Sequence, residues 1–98
     1  MRTPIHPGEI LKDELDGLDM SGADLAREIH VPVNRITEIL RGRRNISADT
    51  AIRLGRFFGS SAKFWLNLQS AFELRSAEAE LMPDIDSIQP LKIAIAAG

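Results

Sequence analysis

The sequence predicts an all-α fold of five helices in one domain, and three observations support this prediction. Of its 98 residues 44% are hydrophobic and 27% are charged, a balance that suits one packed core and excludes a disordered chain. Apolar residues recur at helical spacing in five segments. Proline, serine and glycine stand where helices commonly begin and end. We expect residues 1–81 to form the domain and residues 82–98 to form a short C-terminal extension.

The first two predicted helices have recognisable starts. The first begins at Pro7, since proline suits the first helical position, and Glu9 favours the positive end of the helix dipole. It ends near residues 16–17. The second runs from residue 22 to about residue 29 after Ser21, a good N-cap.

The other three predicted helices are bounded in the same way. Pro32 begins the third helix, and Gly42 stops it. Ser47 caps the fourth helix, which ends at Gly59. One of the serines at 60–61 then caps a long fifth helix.

The tail differs in pattern from the domain. Residues 91–96 alternate with a period of two, which is typical of a strand. The five predicted helices offer no sheet for it. The tail could pair with a second copy, add to the sheet edge of a partner, or stay disordered, and disorder or loose packing is the default expectation.

The net charge of −2 argues at first against nucleic acid as a partner, but its distribution reverses that interpretation. Residues 1–26 carry −4, residues 27–56 carry +4 and residues 57–98 carry −2. All seven cations of the middle segment are arginines. A local positive field of this kind favours a polyanion, and a solvated arginine face without a ligand is the alternative.

The second and third helices are predicted to form a helix-turn-helix. They are short, separated by a tight turn and apolar on facing sides, as in proteins that place the second helix in the major groove of DNA. At about 100° per residue, Ile36, Ile39 and Leu40 share the inward face of the third helix. Its opposite face is then free.

The free face of the third helix carries side chains that can address bases. Asn34 can pair with adenine, Arg41 with guanine, and Glu38 can accept a hydrogen bond from cytosine. Arg35 on the flank and the turn at 43–44 suit phosphates, although an exposed turn with unpaired charges would look the same. The candidate DNA-binding residues are Ser21, Val33, Asn34, Arg35, Thr37, Glu38, Arg41, Arg43 and Arg44.

The fifth helix is predicted to mediate dimerisation. It is apolar around most of its circumference, so both sides need cover, and a second copy is the simplest second cover. A two-fold dimer would set two recognition helices about 34–36 Å apart and require a palindromic operator. The alternative is that Trp65 belongs to the core. The candidate dimerisation residues are Phe64, Trp65, Leu66, Leu68 and Phe72.

Catalytic and metal sites are not expected. The chain has no cysteine, which excludes disulfides, thiol nucleophiles and zinc–thiolate sites. His6 beside Glu9 falls short of metal-ligand spacing, and Ser47 has no histidine placed as a base. The sequence shows no phosphate-binding loop, signal peptide or membrane-spanning run. We therefore expect a cytoplasmic binding protein without enzymatic activity, cofactor, metal or membrane contact.

Six segments together resemble a known family. They are residues 6–11, 25–26, 35–39, 42–44, 46–54 and 64–69, which read HPGEIL, LA, RITEI, GRR, ISADTAIRL and FWLNLQ. In this order and spacing they resemble the HigA-type antitoxins, within the phage-repressor-like (XRE, lambda-repressor-like) helix-turn-helix superfamily. The resemblance covers about residues 4–75, and the first and last segments are its most specific parts.

This resemblance implies a lambda-repressor-like, five-helix DNA-binding domain that works as a homodimer. Such a protein represses its own operon and neutralises a small basic toxin, usually a messenger-RNA endonuclease. Three positions depart from the pattern: Gly22 replaces a polar side chain, His30 stands where the turn often has glycine, and Val33 replaces a polar residue. A stand-alone regulator without a toxin is the alternative function, and an interaction module that no longer binds DNA is a third.

Overall fold

The computed structural model describes residues 3–92, which form five helices and no strand. They are α1 (Pro7–Gly17), α2 (Gly22–Glu28), α3 (Val33–Leu40), α4 (Ala48–Phe58) and α5 (Ala62–Ile85). α2 packs on α3, α1 contacts α3 and α5, and α4 packs along α5. The predicted all-α, five-helix fold is confirmed. Within the described range, no helix is both long and apolar enough to cross a membrane.

The helix starts lie where the local signals place them, with one exception. The hydroxyls of Ser21, Ser47 and Ser61 each accept a hydrogen bond from the backbone N–H three residues later. Pro32 was predicted as a first-turn residue of the third helix, but it is the N-cap of α3. Its ψ of 145° is extended, so the helix begins one residue later, at Val33.

The start of α1 is built by two side chains. The Nδ1 atom of His6 accepts a hydrogen bond from the N–H of Gly8 at 2.8 Å, and the Glu9 carboxylate accepts one from the N–H of His6 at 3.2 Å. This reciprocal pair is a capping box with histidine in the place of serine or threonine. Pro7 occupies the first helical position, as predicted.

One apolar core joins all five helices. Trp65 is the largest of its fully buried side chains, and its Nε1–H donates to the hydroxyl of Ser60 at 3.2 Å. Trp65 is only 1% exposed within a single chain, so it belongs to the core, the alternative to its role in dimerisation. The buried hydrophobic residues are Leu11, Leu15, Leu25, Ala26, Ile29, Ile36, Ile39, Ile46, Ala51, Leu54 and Trp65.

α5 continues beyond the predicted end of the domain. It runs through Pro83 to Ile85, so residues 82–85 are helical rather than strand-like or disordered. A proline inside a helix removes the hydrogen bond to the carbonyl four residues earlier. Residue 79 is exposed, so water can satisfy that carbonyl. Leu91 and Lys92 are not in a strand, and the rest of the predicted strand, residues 93–96, lies outside the described residues.

Candidate nucleic-acid interface

The helix-turn-helix is compact because the start of α2 lies directly against α3. A Cβ atom added at Gly22 would lie 3.1 Å from Cδ1 of Leu40 and 3.4 Å from Cγ2 of Ile36. The absence of a side chain at Gly22 therefore allows the two helices to approach closely. His30 in the turn has a φ of 62°, the left-handed conformation expected where the family often has glycine.

α3 presents the predicted reading face only in part. Asn34 and Arg41 are exposed, and Val33 is 47% exposed at the first position of the helix. Thr37 is half-buried, and its hydroxyl donates to the backbone carbonyl of Asn34 at 3.3 Å. Ile36 and Ile39 lie in the core, as the helical geometry predicts. Asn34 on α3 and Arg41, the C-cap residue just after it, are thus the exposed polar side chains of this face.

Glu38 does not stand free on the reading face. It is half-buried, and its Oε2 atom is buried without a hydrogen-bond partner among the described residues. Only part of the carboxylate can therefore reach outward. The helical angle identifies the side of α3 on which a residue lies, but it does not account for the cover from neighbouring elements.

Arg35 is held in place by a carboxylate on the next helix. Its guanidinium lies 3.2 Å from Asp49, at the start of α4, and Arg53 donates to the same carboxylate oxygen. Arg53 also donates to the backbone carbonyls of Ile29 at 2.9 Å and His30 at 3.3 Å. The hydrogen bond from Arg53, reinforced by both positive charges, lowers the pKa of Asp49. This network ties the turn of the motif to α4 and sets the direction of Arg35.

Sequence reasoning missed Asp49 and Arg53 as parts of this site. Their spacing of four residues on one helix is a detectable ion-pair signal. The contact with Arg35, 14 positions before Asp49, depends on how α3 and α4 pack.

The turn after α3 carries two exposed arginines. Gly42 adopts a φ of 74°, and the N–H of Arg43 donates to the carbonyl of Glu38 at 2.8 Å, which closes the end of the helix. Arg43 and Arg44 are exposed, and within residues 3–92 neither forms an ion pair. Both guanidiniums are available for phosphate.

Ser21 lies at the other end of the motif. Its hydroxyl accepts from the N–H of Asp24 at 3.0 Å, and the Asp24 carboxylate accepts from the N–H of Ser21 at 3.1 Å. Hydrogen bonds from the Ser21 backbone and hydroxyl lower the pKa of Asp24. The Ser21 side chain is exposed at the start of α2.

The predicted dimerisation residues are not one surface. Phe64 and Leu66 are 42% and 36% exposed, whereas Leu68 and Phe72 are half-buried, and Phe72 stacks edge-on against His6. The exposed apolar residues of α5 are concentrated in its second half, which sequence reasoning did not single out. In that half, the exposed large apolar residues are Leu74, Leu81, Met82 and Ile85.

An apolar groove of about 490 Å³ lies between the N-terminal segment and the second half of α5. Pro4 and Ile5 form one wall, and Ala79 and Met82 form the other.

Among the described residues, no three acidic, cysteine or histidine side chains come together as a metal site would require.

This chain is similar in sequence and in structure to known helix-turn-helix proteins. The helix-turn-helix family model matches residues 11–65. Virulence-associated protein I of Dichelobacter nodosus is 49% identical over 89% of this chain and 81% of its own length. A HigA-family addiction module antidote protein from Coxiella burnetii is 49% identical, with a TM-score of 0.88 over 93% of this chain and 100% of its own. The Pseudomonas aeruginosa antitoxin HigA, solved with the higBA promoter, is 52% identical, with a TM-score of 0.86 over 90% and 98%.

Proposed function

This chain belongs to the helix-turn-helix family and, within it, to the HigA-type antitoxins, and we propose that it is the repressor and antitoxin of a toxin–antitoxin operon. In this role it binds a palindromic operator as a homodimer, represses its own operon and neutralises a small basic toxin that cleaves messenger RNA. It acts by binding alone, without catalysis or a cofactor. A repressor works where the DNA is, which for a bacterial operon is the cytoplasm.

One observation carries the DNA-binding role: exposed polar and positive side chains follow one another from the start of α3 to the turn after it. Asn34 and Arg41 supply groups for base edges, while Arg43 and Arg44 supply unpaired charges for the adjoining phosphates. The Pseudomonas aeruginosa HigA of similar structure was solved with the higBA promoter, which supports DNA binding by this chain.

The roles within this surface are distinct. Val33, Asn34, Thr37 and Arg41 face the bases, and Glu38 contributes at most one carboxylate oxygen. Ser21, Arg35, Arg43 and Arg44 bind phosphates, with Arg35 directed by Asp49. Base-edge groups determine sequence preference, whereas phosphate contacts supply affinity and register.

Alanine variants of Asn34 and Arg43 are expected to separate these two roles. Asn34→Ala should weaken binding to the operator by about 1–3 kcal/mol and relax the preference at one base position. Arg43→Ala should weaken binding to all sequences alike and reduce the slope of log affinity against log salt by about 1. The measurement is a gel shift with DNA from immediately upstream of the gene, repeated at several salt concentrations.

Random DNA of the same length is the control in this experiment. Equal losses on operator and random DNA for Asn34→Ala would reject its role in base reading. A wild-type protein that shifts neither DNA at low salt would reject the DNA-binding function.

The second half of α5 supports a dimer contact. At about 100° per residue, Leu74, Leu81 and Ile85 lie within about 40° of one another on one side of the helix. They are 60%, 46% and 38% exposed, and Met82 extends the strip. Such a strip on a protruding helix favours self-association, since a second α5 would bury the same residues on both copies. We propose this strip as the dimer contact.

Light scattering at micromolar concentration should show a dimer for the wild type. Leu81→Glu should shift it to the monomer, because a carboxylate in an apolar contact is costly to desolvate. Glu80→Gln, at the adjacent exposed position, is the matched control and should remain dimeric. A wild-type monomer of 10.8 kDa would contradict the proposed dimer.

A further inference from the structure

His6 is buried beneath the turn that carries the phosphate-binding arginines. It lies in the extended segment before α1 and is only 7% exposed. A Cβ atom added at Gly42 would lie 3.8 Å from Cγ of the His6 ring and 3.9 Å from its Cδ2. On the other side, the ring meets Phe72 of α5 edge-on, with centroids 4.8 Å apart. His6 therefore fills the space between the Gly42 turn and α5.

The hydrogen bonds of His6 define its protonation state. Nδ1 accepts from the N–H of Gly8, so this nitrogen carries no proton and the ring is neutral, with its proton on Nε2. Nε2 is buried and has no well-formed hydrogen bond within the described residues. A second proton on the ring would point the Nδ1–H at the N–H of Gly8 and would break the cap of α1.

The groups around His6 favour the neutral ring. Burial lowers its pKa, while the Glu9 carboxylate and a backbone group of Arg44 raise it, and burial dominates. The neighbour from α5 is the uncharged Phe72. Arg75 and Phe72 both line a small cleft next to Ile5 and Pro7. Because the folded-state pKa of His6 lies below the ordinary 6.5, the stability that the neutral ring contributes is fully present above pH 6.5. It is lost as the pH falls through the folded-state pKa.

We propose that neutral His6 is a positioning residue for DNA binding, which supports the Gly42–Arg44 turn from below and connects it to α5 and the start of α1. This inference rests on the proposed operator binding. The ring does not touch DNA in this role. It holds Arg43 and Arg44 in register with the end of α3, so protonation of the ring releases the turn and weakens the operator complex.

The direction of the pH effect separates positioning from simple charge. A histidine that acted only through its positive charge would strengthen binding to polyanionic DNA as the pH falls. The positioning role predicts the opposite, because the bound complex needs the turn in place and hence the neutral ring. Protonation and operator binding then oppose each other reciprocally.

The test is operator affinity by fluorescence anisotropy from pH 7.5 to 5.5, with a labelled fragment of the upstream promoter. The Kd of the wild type should rise by about three- to tenfold over this range. His6→Asn should remove the rise, since the asparagine Oδ1 can accept from Gly8 but does not titrate. His30→Asn, at the other histidine of the chain, is the matched control and should keep the wild-type pH profile.

An independent measurement needs no variant. In nuclear magnetic resonance spectra of the wild type, the His6 ring should be the Nε2–H tautomer at pH 7.5. The amide signals of Gly42 and Arg44 should shift with the same midpoint as the His6 ring. Separate midpoints, or a His6→Asn profile equal to that of the wild type, would overturn the positioning role. Absence of binding at pH 7.5 would instead reject the proposed function itself.

Discussion

Trp65→Ala is expected to lower the free energy of unfolding by about 3–5 kcal/mol, since it empties the largest fully buried site in the core. The change also removes the ring contact of Trp65 with Phe58 and leaves the hydroxyl of Ser60 without its donor. A single domain of this size has a total stability of about 5–15 kcal/mol, so the variant should be close to unfolding at room temperature. Urea denaturation followed by circular dichroism measures the loss.

Phe64→Ala is the matched control for this prediction. Phe64 adjoins Trp65 in the sequence and its ring meets that of Trp65 edge-on, with centroids 5.2 Å apart, but it is 42% exposed. Its loss should cost about 1 kcal/mol. If Trp65 belongs to the core of one chain, the larger loss must not depend on protein concentration. A loss that disappears on dilution, or equal losses for the two variants, would contradict the assignment of Trp65 to the core.

Gly8→Ala is expected to destabilise the protein and weaken operator binding together. A Cβ atom at Gly8 would lie 1.9 Å from the backbone carbonyl oxygen of Ile39, near the end of α3. Backbone cannot yield as a flexible side chain can, so α1 and α3 must move apart, at a cost of about 1–3 kcal/mol. The movement displaces the end of the recognition helix and the turn that follows it. Thermal unfolding should show a lower Tm, and a gel shift should show weaker binding to the operator.

Gly17→Ala tests whether this effect comes from the close approach. Gly17 is the last residue of the same helix, and nothing lies within 4 Å of a Cβ added there. Alanine at this position should be neutral or stabilising by up to about 1 kcal/mol. Wild-type stability and affinity in Gly8→Ala would show that the contact between α1 and α3 does not position the recognition helix.

Helix boundaries were largely predictable because their signals are local. Ser47 and Ser61 accept from backbone N–H groups within their own first turns, and Gly59 ends α4 with a φ of 72°. Such signals depend only on residues a few positions apart. The end of α5 was missed for the same reason: Pro83 is a strong local stop signal, but an exposed helix tolerates it at the cost of one hydrogen bond.

The candidate site was predictable in outline. Helical period and the apolar residues of α3 place Asn34 and Arg41 outward and Ile36 and Ile39 inward, and the structure agrees. The period could not show that Glu38 is partly covered, or that Asp49 holds Arg35. The burial of Glu38 and the ion pair of Arg35 depend on residues outside α3. The helical period of α3 does not predict where those residues lie.

From the amino-acid order alone follow the five helices, the positive segment between acidic flanks and the outward residues of α3, because capping, periodicity and charge act over short distances along the chain. The assignment of Trp65 to the core, the apolar strip on the second half of α5 and the burial of His6 under the Gly42 turn came from packing. The first and the last of these join residues far apart in the chain, whereas the exposure of the strip depends on which elements the fold places against α5. Such contacts depend on how complete helices fill space around a shared core, and the periodicity of one helix does not specify its neighbours.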